Sequence, residues 1–258
     1  MQKISVIIIT FNEERNIARC IKSVEGVADE IIVVDSNSTD KTVEISEMLG
    51  AKVILQPFLG YAEQKNFANA NASYDYILSL DADEALSPKL KAEILKIKAV
   101  LSAENVYEMN RKTNYCGTWI NHTGWYPDRK IRLFHKQKAH WGGGALHEKL
   151  ILENDVKSIR IDADIEHYSY YTIHDHIKQI DKFTDISSKE LFERGKKSSL
   201  LKLIFSGQVK FFRDYIIKLG FLDGYAGYRI AKMSAFATFL KYAKLRELHK
   251  LNEDRNSK

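Results

Sequence analysis

Four short, almost uninterrupted apolar runs constrain this chain more than any other feature. They are Ile4-Ser5-Val6-Ile7-Ile8-Ile9, Glu30-Ile31-Ile32-Val33-Val34, Lys52-Val53-Ile54-Leu55 and Tyr76-Ile77-Leu78-Ser79-Leu80. A strand with one wet face alternates apolar and polar residues. Runs without that alternation read as strands covered on both faces, as in parallel sheets. The stretches between them have helical spacing. Asn12 is placed to cap a helix with Glu13 and Glu14 in its first turn and Ile17, Cys20, Ile21 and Val24 on one face. Thr39 or Asp40 would cap the next, which carries Val43, Ile45 and Leu49 and ends at Gly50, and residues 61–72 form a third. Strand and helix alternate to about residue 100, which predicts an α/β fold: a doubly wound, mostly parallel sheet with right-handed crossovers.

In such sheets ligands bind at the carboxyl ends of the strands. Three polar loops fall there, Thr10-Phe11-Asn12-Glu13, Asp35–Asp40 and Asp81–Glu84, and all three are expected to converge on one crevice. Neither G-x-G-x-x-G nor G-x-x-x-x-G-K-[ST] follows the first strand, which argues against a dinucleotide dehydrogenase and a P-loop NTPase.

The segment Leu80-Asp81-Ala82-Asp83-Glu84 has two readings. Carboxylates spaced i, i+2 at a strand end are suited to grip one hard cation, Mg²⁺ or Mn²⁺, which completes its ligand sphere with substrate phosphates. The plainer alternative is an acidic turn before a helix that starts at Pro88. Position decides for the clamp, because Asp81 ends the fourth strand while Thr10 and Asp35 end the first two.

Past residue 100 the pattern changes. Val106–Arg111 and Lys130–Phe134 read as strands extending the sheet, residues 141–148 (WGGGALHE) as a flexible glycine-rich loop, and Ile159–Ile165 as a late strand. From about residue 170 the chain reads as helical, and Asn252–Lys258 as disordered. The expected division is therefore 1–170 for the α/β domain and 171–258 for a helical extension. Apolar residues make up 45% of the chain and prolines number only three, as befits a packed globular protein. Two cysteines give neither a disulfide framework nor a zinc spacing. No apolar window approaches a membrane span and no secretory leader is evident, so a cytoplasmic protein is expected.

Taken in order, SVIIITFNEE, VVDSNSTD, SLDADE and GALHEK resemble the family 2 inverting glycosyltransferases over residues 1–170. YPDRKIRLFHK and GFLDGYAGY look most like the lipopolysaccharide-core β-glucosyltransferase group. The resemblance implies a GT-A fold, with a Rossmann-like, mostly parallel central sheet flanked by helices and here a helical C-terminal extension. It also implies transfer of a hexose from a nucleotide sugar, UDP-linked in this reading, to an envelope glycan with inversion, and use of Mg²⁺ or Mn²⁺. Residue by residue, it implies that Thr10 and Glu13 lie beside the nucleotide base, that Asn12 belongs to the same nucleotide-sugar site and that Asp35 accepts a hydrogen bond from the uracil. Asp81 would lie near the ribose, and Asp83 would bind the metal. Inversion needs one base opposite the leaving group; Glu148 is the first choice, with Asp128 and Glu84 as rivals. His147 would ligate the metal or orient Glu148, or be merely solvated. Lys65 and Asn66 reach donor phosphate or sugar, or belong to an exposed helical turn after Gln64. Arg129 and Arg132 are suited to fork a phosphate. Trp119, Trp125 and Trp141 stack on sugars or are simply packed.

The C-terminal part carries its own signal. Residues 195–258 hold 14 Lys/Arg against 5 Asp/Glu, a balance of +9, whereas the first 194 hold 25 against 29, a balance of −4. Over 199–219, Lys202, Lys210, Arg213 and Lys218 share one side of a helical wheel, and Leu201, Ile204, Phe205, Val209, Phe212, Ile216 and Leu219 the other. Such a helix reads as a peripheral contact with the cytoplasmic face of the inner membrane, or as one packed on the catalytic domain. Met233–Leu240 reads as core or as a homodimer contact. Two other functions stay in view. A sugar-nucleotide-forming nucleotidyltransferase would need a glycine-rich basic loop near Thr10–Arg15, which is missing. A non-catalytic, basic-tailed module for nucleic acid would need a regular basic-aromatic array, also missing, so no nucleic-acid partner is expected.

Overall fold

The computed structural model describes residues 2–144 and 147–256. The chain forms two compact units, Met1–Lys112 with Asp128–Tyr168, and Thr113–Pro127 with Ser169–Lys258.

In the first unit strand and helix alternate as the apolar runs require. The elements are β1 Ile4–Thr10, α1 Ile17–Ser23, β2 Glu30–Asp35, α2 Thr42–Met48, β3 Lys52–Leu55, α3 Tyr61–Ala70, β4 Tyr76–Asp81, β5 Glu84–Leu86 and α4 Pro88–Ile97. There follow β6 Asn105–Tyr115, β7 Thr118–Trp119 (in the second unit), β8 Asp128–His135, β9 Ala139–Gly144, β10 His147–Leu152 and β11 Lys157–Tyr170. The sheet order is β3-β2-β1-β4-β8-β6-β11-β5. The first four strands are parallel, and β8 joins β4 antiparallel. Alternate side chains of β1 enter opposite cores. Ile4, Val6 and Ile8 pack with Ile17, Cys20 and Ile21 of α1 and Leu90 and Ile94 of α4. Ile7 packs with Ile32, Val34 and Ile77 and with Ala62 and Ala68 of α3. A strand covered on both faces has no place for a polar alternation, which accounts for the unbroken runs.

Several local expectations are corrected. Asn12 caps nothing: it has φ +54°, and α1 begins five residues later, after Asn16. Its side-chain oxygen instead accepts from the Thr39 amide at 2.8 Å, fastening the first loop to the second. At α2 the capping position falls to Lys41, which makes no side-chain cap bond, and Asp40 accepts from the Thr42 amide at 3.0 Å. The glycine-rich stretch is not a loop. Trp141 pairs with Leu150, Gly142 with Lys149 and Gly143 with Glu148 in an antiparallel β9–β10 ladder. Its flanks decide this, because Trp141, Leu150 and Leu152 join the core containing Phe134.

In the second unit Tyr115, Ile120 and Ile230 form a small core with Trp125 and Tyr170 against it. Its helices are α5 Ile173–Glu193, α6 Leu200–Phe212 and α7 Gly224–Asn256. The end of the chain expected to be disordered is thus helical as far as Asn256. A Thr172/Asp175 capping box starts α5, and the Ser199 hydroxyl caps α6. α7 packs against both other helices. Lys244 reaches Asp181 at 2.7 Å on α5, and Gly207 of α6 lies so close to α7 that a Cβ there would sit 3.1 Å from the Ala235 carbonyl oxygen.

Candidate active site

Parallel register brings the strand ends together, with Thr10 beside Asp35 and Ile9 beside Asp81. Asp35 is fully buried and accepts from both the amide and the hydroxyl of Ser38. Two oxygens offer about four acceptor positions, so these bonds do not exhaust it. The Thr10 hydroxyl is buried without a hydrogen-bond partner among the described residues, and a group of this kind calls for a ligand or water.

The acidic segment splits by direction. β4 ends at Asp81, a tight turn holds Ala82 and Asp83, and β5 begins at Glu84. Glu84 therefore points inward, fully buried, and accepts from Arg132 at 2.6 Å, Arg111 at 3.4 Å and the Asp81 amide at 3.1 Å. Arg132 also reaches Asp81 at 2.9 Å. From the other side the buried Lys65 ammonium lies 3.0 Å from Asp81 and 3.1 Å from Glu148, and 4.6 Å from the centre of the Trp141 ring. Arg111 continues the line to Asp128 at 2.7 Å, and Lys130 ends it at 3.1 Å. Glu148, Lys65, Asp81, Arg132, Glu84, Arg111, Asp128 and Lys130 thus alternate in sign. Burial alone would raise the Asp81 carboxyl; Lys65 and Arg132 override it and hold the group well below the usual carboxylate range. Burial would likewise lower the Arg132 pKa, but Glu84 and Asp81 raise it.

Asp83 stands outside this chain, with its carboxylate 3.2 Å from Nε2 of His167 on β11. Glu13 shares its surroundings. Burial raises the Glu13 carboxyl to about 7, with Asp83 and Asp40 adding to the rise against a hydrogen bond from Asn16.

The structure therefore joins Asp81, Lys65, Arg132 and Glu148 in one network, sets Thr10 beside Asp35, and places Glu13 in the field of Asp83. Asn66 does different work from that expected. Its amide group donates to the Trp141 carbonyl at 2.7 Å and accepts from the Trp141 amide at 2.8 Å, pinning β9 to α3. Gln64 donates to Ser36 and to the Gln56 carbonyl. Trp141 is buried in the core, and Arg129 is exposed. Trp119 and Trp125 belong to the second unit, where Trp125 stacks on Tyr170. The side chain of His147 lies outside the described residues. The rivals for the base are both engaged, Glu84 by two arginines and Asp128 by Arg111 and Lys130.

His167 is the residue that reading the sequence missed. The expected late strand stopped at Ile165, two residues short, although the alternation of Ile159-Arg160-Ile161-Asp162-Ala163 continues past it. Among the described residues no group of three His, Cys, Asp or Glu is arranged to hold a metal. A carboxylate and an imidazole side by side, both partly exposed, still suit a divalent ion that takes its other ligands from a diphosphate and water.

Known proteins resemble this chain over most of its length. The model of "Glycosyl transferase family 2" matches residues 5–153. An uncharacterized glycosyltransferase of Rickettsia typhi is 37% identical over 96% of this chain and 88% of its own length. The lipopolysaccharide core biosynthesis glycosyltransferase LpsC of Rhizobium meliloti is 28% identical over 96% and 93%. Glucosyl-3-phosphoglycerate synthase of Mycobacterium tuberculosis, crystallised with Mn²⁺ and UDP-glucose, is 28% identical over 44% of each chain, with a TM-score of 0.35. A parallel sheet with its acidic loops at the carboxyl edge, a match over more than half the chain and full-length relatives lead to one assignment: this protein belongs to glycosyl transferase family 2, with a fold of the GT-A type.

Proposed function

We propose that this glycosyltransferase moves a hexose from a UDP-sugar to a lipid-linked envelope glycan, inverting the anomeric centre, in the cytoplasm at the inner face of the inner membrane. The likeness to LpsC supports the envelope acceptor. The observation that carries the chemistry is the Glu148–Lys65–Asp81 bridge, which ties the proposed base to the donor end of β4.

Thr10 and Asp35 receive the uracil, Asp81 the ribose, and Glu13 lines the same edge. Asn12 serves by holding the two loops together, and Asn66 by fixing the hairpin that carries Glu148. Arg132 acts on the donor only through Asp81. Lys65 bridges Asp81 and Glu148 and offers a cation to the donor phosphates. Glu148 takes the proton of the acceptor hydroxyl while that oxygen bonds to the anomeric carbon from the side opposite the breaking bond. The electron pair of that bond leaves with UDP. Asp83 and His167 are the residues that would hold Mg²⁺ or Mn²⁺, which when bound neutralises the departing diphosphate.

Glu148→Gln is expected to keep UDP-sugar binding while transfer falls by about 10²–10⁴-fold. Asp83→Ala is expected to lose UDP binding while remaining folded. Transfer at the wild-type rate in Glu148→Gln would remove it as the base and point back to Asp128.

A further inference from the structure

We propose that α6 and the turn after it form a docking surface for an anionic lipid bilayer. This deepens the reading of a lipid-linked acceptor and rests on it. On α6, Leu201, Ile204, Phe205, Val209 and Phe212 recur at helical spacing, and Ile216 continues the row beyond the helix. In a helix that packs on its own domain such a row is buried. Here it faces outward: Leu201 is 69% exposed, Phe205 55%, Val209 65% and Phe212 56%. The side turned to α7 is the one bearing Gly207. The helix thus packs through its small residue and leaves its large apolar ones in water, and a contiguous patch of that kind marks an interaction surface.

The charges around the patch select its occupant. Arg194, Lys196, Lys197, Lys202, Arg213 and Lys218 are all exposed. Between residues 194 and 222 the sequence has one acid, Asp214. It is fully buried, with Lys210 at 2.5 Å and Arg213 at 3.1 Å. Every exposed charge along this stretch is therefore positive. A second copy laid face to face would oppose like charges with no acid to answer them. A leaflet of anionic lipids offers acyl chains to the apolar row and negative headgroups to its basic flank.

The test is co-sedimentation of the full chain with phosphatidylcholine vesicles, with and without phosphatidylglycerol, alongside UDP-sugar hydrolysis by the same samples. The protein is expected to pellet with phosphatidylglycerol vesicles and to be released by salt. Phe205→Ser with Phe212→Ser is expected to weaken binding by at least about tenfold, and Lys202→Gln with Lys218→Gln by on the order of tenfold, both with hydrolysis unchanged. Equal binding without phosphatidylglycerol, or unaltered binding by the Phe pair, overturns the proposal. So does a dimer seen by analytical ultracentrifugation that the Phe pair dissolves while vesicles bind nothing. Wild-type protein that turns over donor but never pellets removes the docking surface and leaves the transferase reading standing. Pelleting without turnover does the reverse.

Discussion

A lysine with almost no exposure, held between two carboxylates on different elements, is costly to bury and costly to remove. Lys65 and Arg132 share Asp81, and Arg132 also neutralises Glu84, which has no access to water. Losing one member of such a set leaves a charge stranded in low dielectric, typically at about 3–5 kcal/mol. Arg132→Met should therefore lower the unfolding free energy by about that amount, read from the urea midpoint at unchanged slope, and adding Glu84→Gln should restore part of it. Acid should weaken the wild type through the same network. The folded-state pKa of Asp81 is depressed, so near its ordinary value the unfolded chain binds more protons. Stability then rises with pH, being complete above that value and lost as pH falls below it. Little of this was legible from residue types. Asp81, Asp83 and Glu84 are three acids within four positions, and only the fold turns Glu84 inward and leaves Asp83 partly open.

At the scale of single elements, β9–β10 and the start of α5 carry the sharpest expectations. Gly143 has φ +113° and lies directly across the ladder from Glu148. Its conformation is one that an L side chain adopts only with strain of about 1–3 kcal/mol. Gly143→Ala should shift that strand and lower transfer more than donor binding, seen as a fall in kcat at nearly constant KM for the donor. In the second unit His176 of α5 is buried with its Nδ1 3.0 Å from the Tyr115 hydroxyl, and burial, with Arg229 adding, lowers its pKa to about 4. Between about 4 and its ordinary value of 6.5 the unfolded chain binds the extra proton. Stability therefore rises with pH across that window, by up to roughly 3 kcal/mol. His176→Gln should flatten the rise, measured by denaturation at several pH values. The parallel strands and their helices were legible because burial on both faces erases alternation. The hairpin was not, because three glycines in a row carry no strand signal and its ladder depends on Trp141, Leu150 and Leu152 reaching a core assembled from distant strands. The apolar row of α6 was visible in the sequence, but whether it lay against protein or water was not, since periodicity gives a helix a face and not a neighbour.

For the whole molecule, the charge asymmetry between the first 194 residues at −4 and the remainder at +9 sets a condition on donor binding. The strand ends where the donor is proposed to sit carry Glu13, Asp35, Asp81 and Asp83, and a nucleoside diphosphate brings further negative charge to them. The cations beside Asp81 are already shared, Lys65 between Asp81 and Glu148 and Arg132 between Asp81 and Glu84. Donor binding should therefore depend steeply on a divalent ion. A ligand at about a hundred times its dissociation constant adds about 2.7 kcal/mol to stability, which for a domain of this size is a Tm rise of roughly 5–10 °C. UDP-glucose with Mn²⁺ should produce a rise of that order, and either component alone much less. EDTA should abolish it, and Asp83→Ala should show none while melting close to the wild type without ligand. Hydrogen exchange under the same conditions should slow at the carboxyl ends of β1, β2 and β4 and leave α6 unchanged. A full shift in EDTA would mean that Lys65 and the loop amides alone hold the diphosphate, and Asp83 would then lose its proposed role.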